Sequence, residues 1–171
     1  MTVMPIRTLG DPVLREPTRS VERFDRSLRR LADDMFETME DAPGVGLAAP
    51  QVGISSRFFV YDDGAGHRGF LANVELDRAE GEITHDEGCL SIPGPFHPTT
   101  RAERVRIRGK DLRGRDVEIV GEGLLARIFQ HEADHLDGRL YIDRLDDAGR
   151  KEVLRQLRQL ELQRATEVPG T

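Results

Sequence analysis

The chain has 171 residues, a formal net charge of -6 with positive and negative residues interspersed, and a single cysteine. One domain of this length buries most of the surface that its unfolded chain exposes. The acidic balance removes the electrostatic argument for a nucleic-acid or membrane partner, and a lone thiol excludes an intramolecular disulfide and suits a reducing compartment.

The N-terminal residues lack the apolar run of a signal peptide, and no stretch approaches the roughly 18 apolar residues of a membrane span. The expectation is one cytoplasmic domain over residues 1–171, monomeric rather than dimeric. Asp11 to Val21 reads as irregular chain with short extended pieces, held by Pro12 and Pro17. From Asp25 to about Asp41, Leu28, Leu31, Ala32, Met35, Phe36 and Met39 recur at helical spacing, and Asp25 offers a cap. Met35 and Met39 belong to the core rather than to a sulfur site.

Glycines and small residues then surround Gln51 in Ala42-Pro-Gly-Val-Gly-Leu-Ala-Ala-Pro-Gln-Val-Gly53. Such a stretch lets a backbone approach a ligand or a packed neighbour closely. Its alternative is a tight turn ahead of a strand, but a half-buried amide among alanines needs a hydrogen-bond partner. Strand signals follow at Arg57 to Tyr61, Gly69 to Leu76, Ala79 to Thr84, Glu103 to Gly109 and Asp116 to Val120. Turns are expected at Gly64-Ala-Gly66, Gly94-Pro95 and Arg113-Gly114, and antiparallel neighbours are the default. The loosest segments are Asp62 to Gly69 and Thr166 to Thr171.

The stretch Glu122 to Gly138 reads as one helix. At about 100° per residue, Leu124, Ile128, His131 and His135 form one stripe, with Leu125, Phe129, Glu132 and Leu136 beside it. Ala126, Arg127, Gln130, Ala133, Asp134 and Asp137 form the polar arc of a surface, and Gly138 is a left-handed stop. Two imidazoles and a carboxylate thus face the interior, where an unpaired charge costs several kcal/mol. The bland reading is a buried His-Glu pair without a metal. The sharper one is a divalent ion: Cβ atoms four residues apart on a helix are roughly 5 to 6 Å from one another, close enough for both rings to reach one ion. In His-Glu-x-x-His the intervening Glu is free to handle the proton of a water molecule.

A catalytic tetrahedral site wants three protein ligands, and the helix supplies two. Cys89, in Asp86-Glu-Gly-Cys-Leu-Ser-Ile-Pro93, is the only thiol. Alone it could be an inert buried side chain, but its competitors His67, His85 and His97 look like ordinary surface or loop histidines. The last segment, Asp147 to about Ala165, places Val153, Leu154, Leu157 and Leu160 on one stripe of a charged helix that packs on the domain rather than on a second copy.

Gly44-Val-Gly-Leu-Ala-Ala-Pro-Gln51, Glu87-Gly-Cys-Leu-Ser91 and Gln130-His-Glu-Ala-Asp-His135, in this order, resemble the three signature motifs of the peptide deformylase family. The likeness extends over roughly residues 5 to 145, from Asp11-Pro-Val-Leu14 to Tyr141-Ile-Asp143. It implies an α+β fold of antiparallel strands around a central His-Glu-x-x-His helix, flanked by an N-terminal and a C-terminal helix. It further implies removal of the formyl group from the N-terminal formylmethionine of new polypeptides, with nascent chains at the ribosome as a source of substrate. On this resemblance Cys89, His131 and His135 hold the metal, ferrous iron in the cell with Zn2+, Ni2+ or Co2+ as substitutes. Glu132 is the general base and acid, Gln51 and the Leu90 N–H bind the developing oxyanion, and Gly46 belongs to the pocket wall.

Leu124 and Ile128 share the stripe of His131, so with Val45 they are expected to wall an apolar pocket for the methionine side chain. Arg101 is expected to pair with Asp134. The segment Gly94-Pro-Phe-His-Pro98 and Asn73-Val74 depart from the family pattern. A zinc peptidase with the same helix motif would need a third ligand after Gly138, where no histidine follows. A non-catalytic relative serving as a binding module would be expected to have lost Glu132 or a ligand, and all are present.

Overall fold

The computed structural model describes residues 2–167; the expected loose tail lies outside them beyond Glu167. In chain order the elements are α1 (Arg26–Asp41), β1 (Gly46–Ala48), β2 (Phe58–Asp62), β3 (Arg68–Glu80), β4 (Ile83–Cys89), β5 (Ile92–Arg101), β6 (Arg104–Lys110), β7 (Asp116–Glu122), α2 (Leu124–Leu136) and α3 (Asp147–Thr166). These strands pair antiparallel throughout, in a five-stranded sheet ordered β1-β2-β3-β6-β7 and a separate β4-β5 ribbon. The architecture is α+β.

Side chains alternate across a strand, and β2 uses both faces. Phe58 and Val60 join Leu28, Ala32, Met35 and Met39 of α1, whereas Phe59 and Tyr61 join Leu125, Ile128 and Phe129 of α2. The sheet is therefore filled on one side by α1 and on the other by α2. A third apolar cluster, Ile92 with Leu140, Tyr141, Ile142, Val153 and Leu157, forms where α3 meets the ribbon.

Local signals set the helix ends. The Asp25 carboxylate accepts from Leu28 N at 3.1 Å and caps α1 as expected. Gly138 follows α2 with φ +72°, and a Cβ there would lie 2.6 Å from the Arg15 carbonyl oxygen, so only glycine fits.

Three expectations are corrected. The pieces Gly69 to Leu76 and Ala79 to Thr84 are not two strands: most of both lies in β3, which absorbs register shifts between Ala72 and Glu75 and between Leu76 and Arg78, and Ile83 and Thr84 open β4. Asn73, at φ 53°, sits at the first irregularity, and its carboxamide bonds to both backbone polar groups of Val21, at 2.7 and 2.9 Å. Gly94-Pro95 is not a turn but lies inside β5. Three prolines would cost a central strand its ladder bonds, and β5 tolerates them because it has only β4 as a partner. On α2, Ala126, Ala133 and Asp134 are buried rather than solvated. The first two pack into the α2 layer of the sheet, and Asp134 is covered by Arg101 and Arg144.

Candidate active site

Helix α2 lays its histidine stripe against the end of β4. The His131 and His135 rings meet edge to face with centroids 4.9 Å apart, and their Nε2 atoms approach to 3.2 Å. Cys89, the last residue of β4, brings Sγ to 3.3 Å from His135 Nε2. One donor atom from each of the three lies within 4.8 Å of the others. Two ring nitrogens and a sulfur so close compete for very few protons, a conflict that a cation among them removes. A thiol and two imidazoles are also a donor set that borderline divalent ions take. The residues fit a metal.

Behind His131, Glu87 accepts from Nδ1, which leaves Nε2 as the ring atom able to ligate. Glu87 is in turn gripped by Arg101, through Nε at 3.1 Å and a terminal nitrogen at 2.6 Å, and the other terminal nitrogen of Arg101 reaches Asp134 at 2.6 Å. Arg144 closes the far side of Asp134 at 2.6 and 3.1 Å. The expected Arg101–Asp134 pair is thus one link of a longer buried chain. Burial alone would raise the Glu87 carboxyl, but the bonds from His131 and Arg101 outweigh it and hold its pKa at about 2. Burial likewise opposes charge on His131, yet its contacts with Cys89 and Glu87 push its pKa well above the ordinary value. A cation held at that ring would take the place of the proton. Burial, then the charges of His131 and Arg101, hold His135 well below its ordinary value.

Glu132 points into the same space. Burial raises its carboxyl to about 7, although His131 pulls the other way, and Oε2 has no hydrogen-bond partner. A cation beside it would lower that value and favour the carboxylate. The carboxyl rests on Gly46: a Cβ there would collide with Oε1 and lie 2.8 and 2.9 Å from Cδ and Cγ. Gly46 therefore does more than line a wall, because its missing side chain is the space that Glu132 occupies.

Gln51 is buried in the 3-10 turn after β1. Its Oε1 accepts from Ala48 N at 2.9 Å, which aims Nε2 at Ser91 Oγ, 3.2 Å away, and at Cys89 Sγ, 3.6 Å away. Leu90 stands at the turn between β4 and β5, with its side chain packed toward the α1 side of the sheet.

A cavity of about 540 Å³ opens over these groups. Cys89, His131, Glu132, Gln51, Gly46 and Leu90 line it, and so do Val45, Leu124 and Ile128. Ile128 is buried, whereas Val45 and Leu124 are 45% and 40% exposed at its mouth. Of the site residues proposed from the sequence only His135 is missing from this lining, being buried behind it against Cys89 and His131, while His67 and His85 lie exposed elsewhere and His97 is half-buried in β5. Sequence reasoning missed the parts played by Glu87, Ser91 and Arg144. Glu87 carried a signal: it lies two residues before Cys89, and the period of a strand puts both on one face.

The family model for polypeptide deformylase matches residues 3–151. A peptide deformylase of Acidothermus cellulolyticus is 54% identical over 162 residues, 94% of this chain and 89% of that protein. One of Alkalilimnicola ehrlichii is 47% identical over 99% of this chain and 97% of its own. Among solved structures, a peptide deformylase from Legionella pneumophila superposes with a TM-score of 0.92 at 42% identity, covering 98% of this chain and 100% of that one. The Thermus thermophilus peptide deformylase gives 0.87 at 47% identity, over 92% and 94%. With more than four-fifths of its length matched by the family model and full-length relatives near half identity, the chain belongs to the polypeptide deformylase family.

Proposed function

We propose that this chain acts as one catalytic domain that hydrolyses the N-formyl group from the N-terminal formylmethionine of new polypeptides. Cys89, His131 and His135 would hold one divalent ion, and Glu132 would carry the proton. The observation that supports this reading most is the convergence of three donor atoms beside a buried carboxyl, at the floor of a cavity with apolar walls. Helix α2 is the element on which that site is built.

When bound, a divalent ion supplies Lewis acidity and can lower the pKa of water from about 15.7 to about 7. The residues do the rest. Val45, Leu124 and Ile128 receive the methionine side chain, which brings the formamide toward the floor of the cavity. Glu132 accepts a proton as water adds to the formyl carbon. The carbonyl oxygen then gains negative charge, and the Gln51 amide and the Leu90 N–H are the donors assigned to it; removing one such donor costs on the order of 10² to 10³ in turnover. As the C–N bond breaks, Glu132 returns its proton to the departing amine, and formate and a free N-terminus result.

We assign ferrous iron as the cellular ion, with zinc, nickel or cobalt able to replace it. A thiolate ligand beside a redox-active ion makes oxidation a liability. Protein purified without air should therefore lose activity on aeration, whereas a zinc-loaded sample should not; equal survival of both would remove iron. The chain is read as a monomer acting in the cytoplasm on formylmethionyl peptides, including nascent ones. Among its described helices none is long and apolar enough to cross a membrane.

The test is formate release from a short formyl-Met peptide, before and after treatment with a chelator. Release that stops with the chelator and returns with added divalent ion is the expected result. Release that survives full removal of the ion would refute the assignment.

A further inference from the structure

We propose that Arg15, Arg139, Arg144 and Arg150 form a second binding site, which takes a compact phosphate dianion: free phosphate or the terminal phosphate of a small monoester.

The four arginines line a basin of about 480 Å³ that shares no lining residue with the catalytic cavity. Each comes from a different stretch of chain. Arg15 ends the 3-10 turn Pro12–Arg15, Arg139 follows the Gly138 stop of α2, Arg144 ends the turn Tyr141–Arg144, and Arg150 lies near the start of α3. Gly138 is also in the lining, and its missing side chain lets the Arg15 backbone come close. The tertiary fold, rather than one charged helix face, brings these cations together.

Their charge is not balanced where they meet. Asp143 is the only carboxylate in the lining, so the basin holds an excess of three positive charges on a chain whose formal net charge is -6. The outer face of the sheet is different: there two arginines, Arg106 and Arg108, meet two carboxylates, Asp77 and Glu118. In the basin both oxygens of Asp143 accept from Arg15, Arg150 stands 3.8 Å from the same carboxylate, and Arg144 turns two nitrogens to Asp134. The Arg139 side chain has no carboxylate partner among the described residues. A guanidinium carries five N–H donors and no acceptor, and like charges gathered in one place repel unless an anion joins them. The Arg15, Arg144 and Arg150 side chains are 41, 42 and 48% exposed, so donors remain within reach of a ligand.

The ligand class follows from this donor set. The guanidinium fork takes phosphate oxygens in pairs, and a phosphate monoester carries about 1.5 to 2 negative charges near pH 7. That answers an excess of three cations better than a single carboxylate does. A nucleic-acid backbone needs a stripe or groove of cations, whereas these four are drawn to one basin. A bound dianion would tie the N-terminal turn to the start of α3, and a ligand that binds only the folded chain stabilises it.

The experiment titrates inorganic phosphate and glycerol 3-phosphate into the zinc-loaded protein at pH 7.5 and constant ionic strength, by calorimetry and by Tm against a chloride control. The wild type should bind one of them with a Kd of about 1 mM or tighter, the scale of a few charge-assisted bonds, and its Tm should rise by several °C at saturation. Tighter binding of phosphate would support the site with the free ion as ligand, and tighter binding of glycerol 3-phosphate would support it with a monoester. The variant R139Q/R150Q, which changes two exposed side chains, should keep its Tm in chloride and weaken binding about tenfold or more. R139Q alone, which has no ion pair to lose, should weaken it severalfold. Affinity that survives both variants would place the anion elsewhere, at the zinc ion for instance, and overturn the proposal. So would the absence of any binding tighter than about 10 mM, or tighter binding of a decauridylate without terminal phosphates that is lost in the same variants, because the basin would then read a nucleic-acid backbone.

Discussion

Arg101 and Arg106 each hold a carboxylate through Nε and a terminal nitrogen, Glu87 at 3.1 and 2.6 Å in one case and Asp77 at 2.7 and 2.7 Å in the other. Their surroundings differ. The Arg101 side chain is 3% exposed and its carboxylate partner holds His131, whereas the Arg106 side chain is 20% exposed on the outer face of the sheet, among Arg108, Glu118 and Asp77. Near-identical ion-pair geometry thus serves two purposes. On the sheet it decorates a solvated surface. Beside α2 it fixes the orientation of an imidazole, and a charge left alone there has no water to fall back on.

Variants in the two regions should separate accordingly. Within the site the largest effect belongs to Glu132→Gln, which keeps the shape and removes the base; turnover should fall by roughly 10² to 10⁴, measured as formate release. Gly46→Ala comes next, because the added methyl must push the Glu132 carboxyl aside. A displacement near 1 Å can cost about 10² in rate, and Gly46→Ala should show that loss with its fold intact by circular dichroism. Arg101→Met strips Glu87 and Asp134 of their buried cation. It should destabilise the chain by about 3 to 5 kcal/mol, a drop in Tm on the order of 10 °C, and weaken metal binding roughly 10- to 100-fold through His131. Arg106→Met, on the outer face, should leave Tm, metal affinity and formate release almost unmoved. If Arg101→Met and Arg106→Met instead behaved alike, the distinction drawn between the two regions would fail.

The same contrast explains what could be read from residues alone. The α2 stripe, the Asp25 cap and the Gly138 stop are local, and a helical period with its punctuation carries them. The spacing of His131 and His135 is also local, but Cys89 joined them as a ligand through the resemblance of its motif to the family's, because a lone thiol among other histidines decides little; the fold then brings the three donor atoms within 4.8 Å of one another. The β5 strand was hidden by Pro93, Pro95 and Pro98, whose cost vanishes only when the strand has a single neighbour. The chain Glu87–Arg101–Asp134–Arg144 joins residues far apart in sequence, so only the Arg101–Asp134 link was anticipated. Gly46 was seen as a pocket residue, but its reason for being glycine, the carboxyl of Glu132, lies 86 positions away and leaves no local signature.

The central claim is that one group of residues holds the ion and another moves the proton. It is tested most directly by measuring bound metal per chain together with formate release for Glu132→Gln and Cys89→Ala. The account predicts that Glu132→Gln keeps its ion and loses turnover, while Cys89→Ala loses both. Wild-type rates of formate release from Glu132→Gln would contradict it.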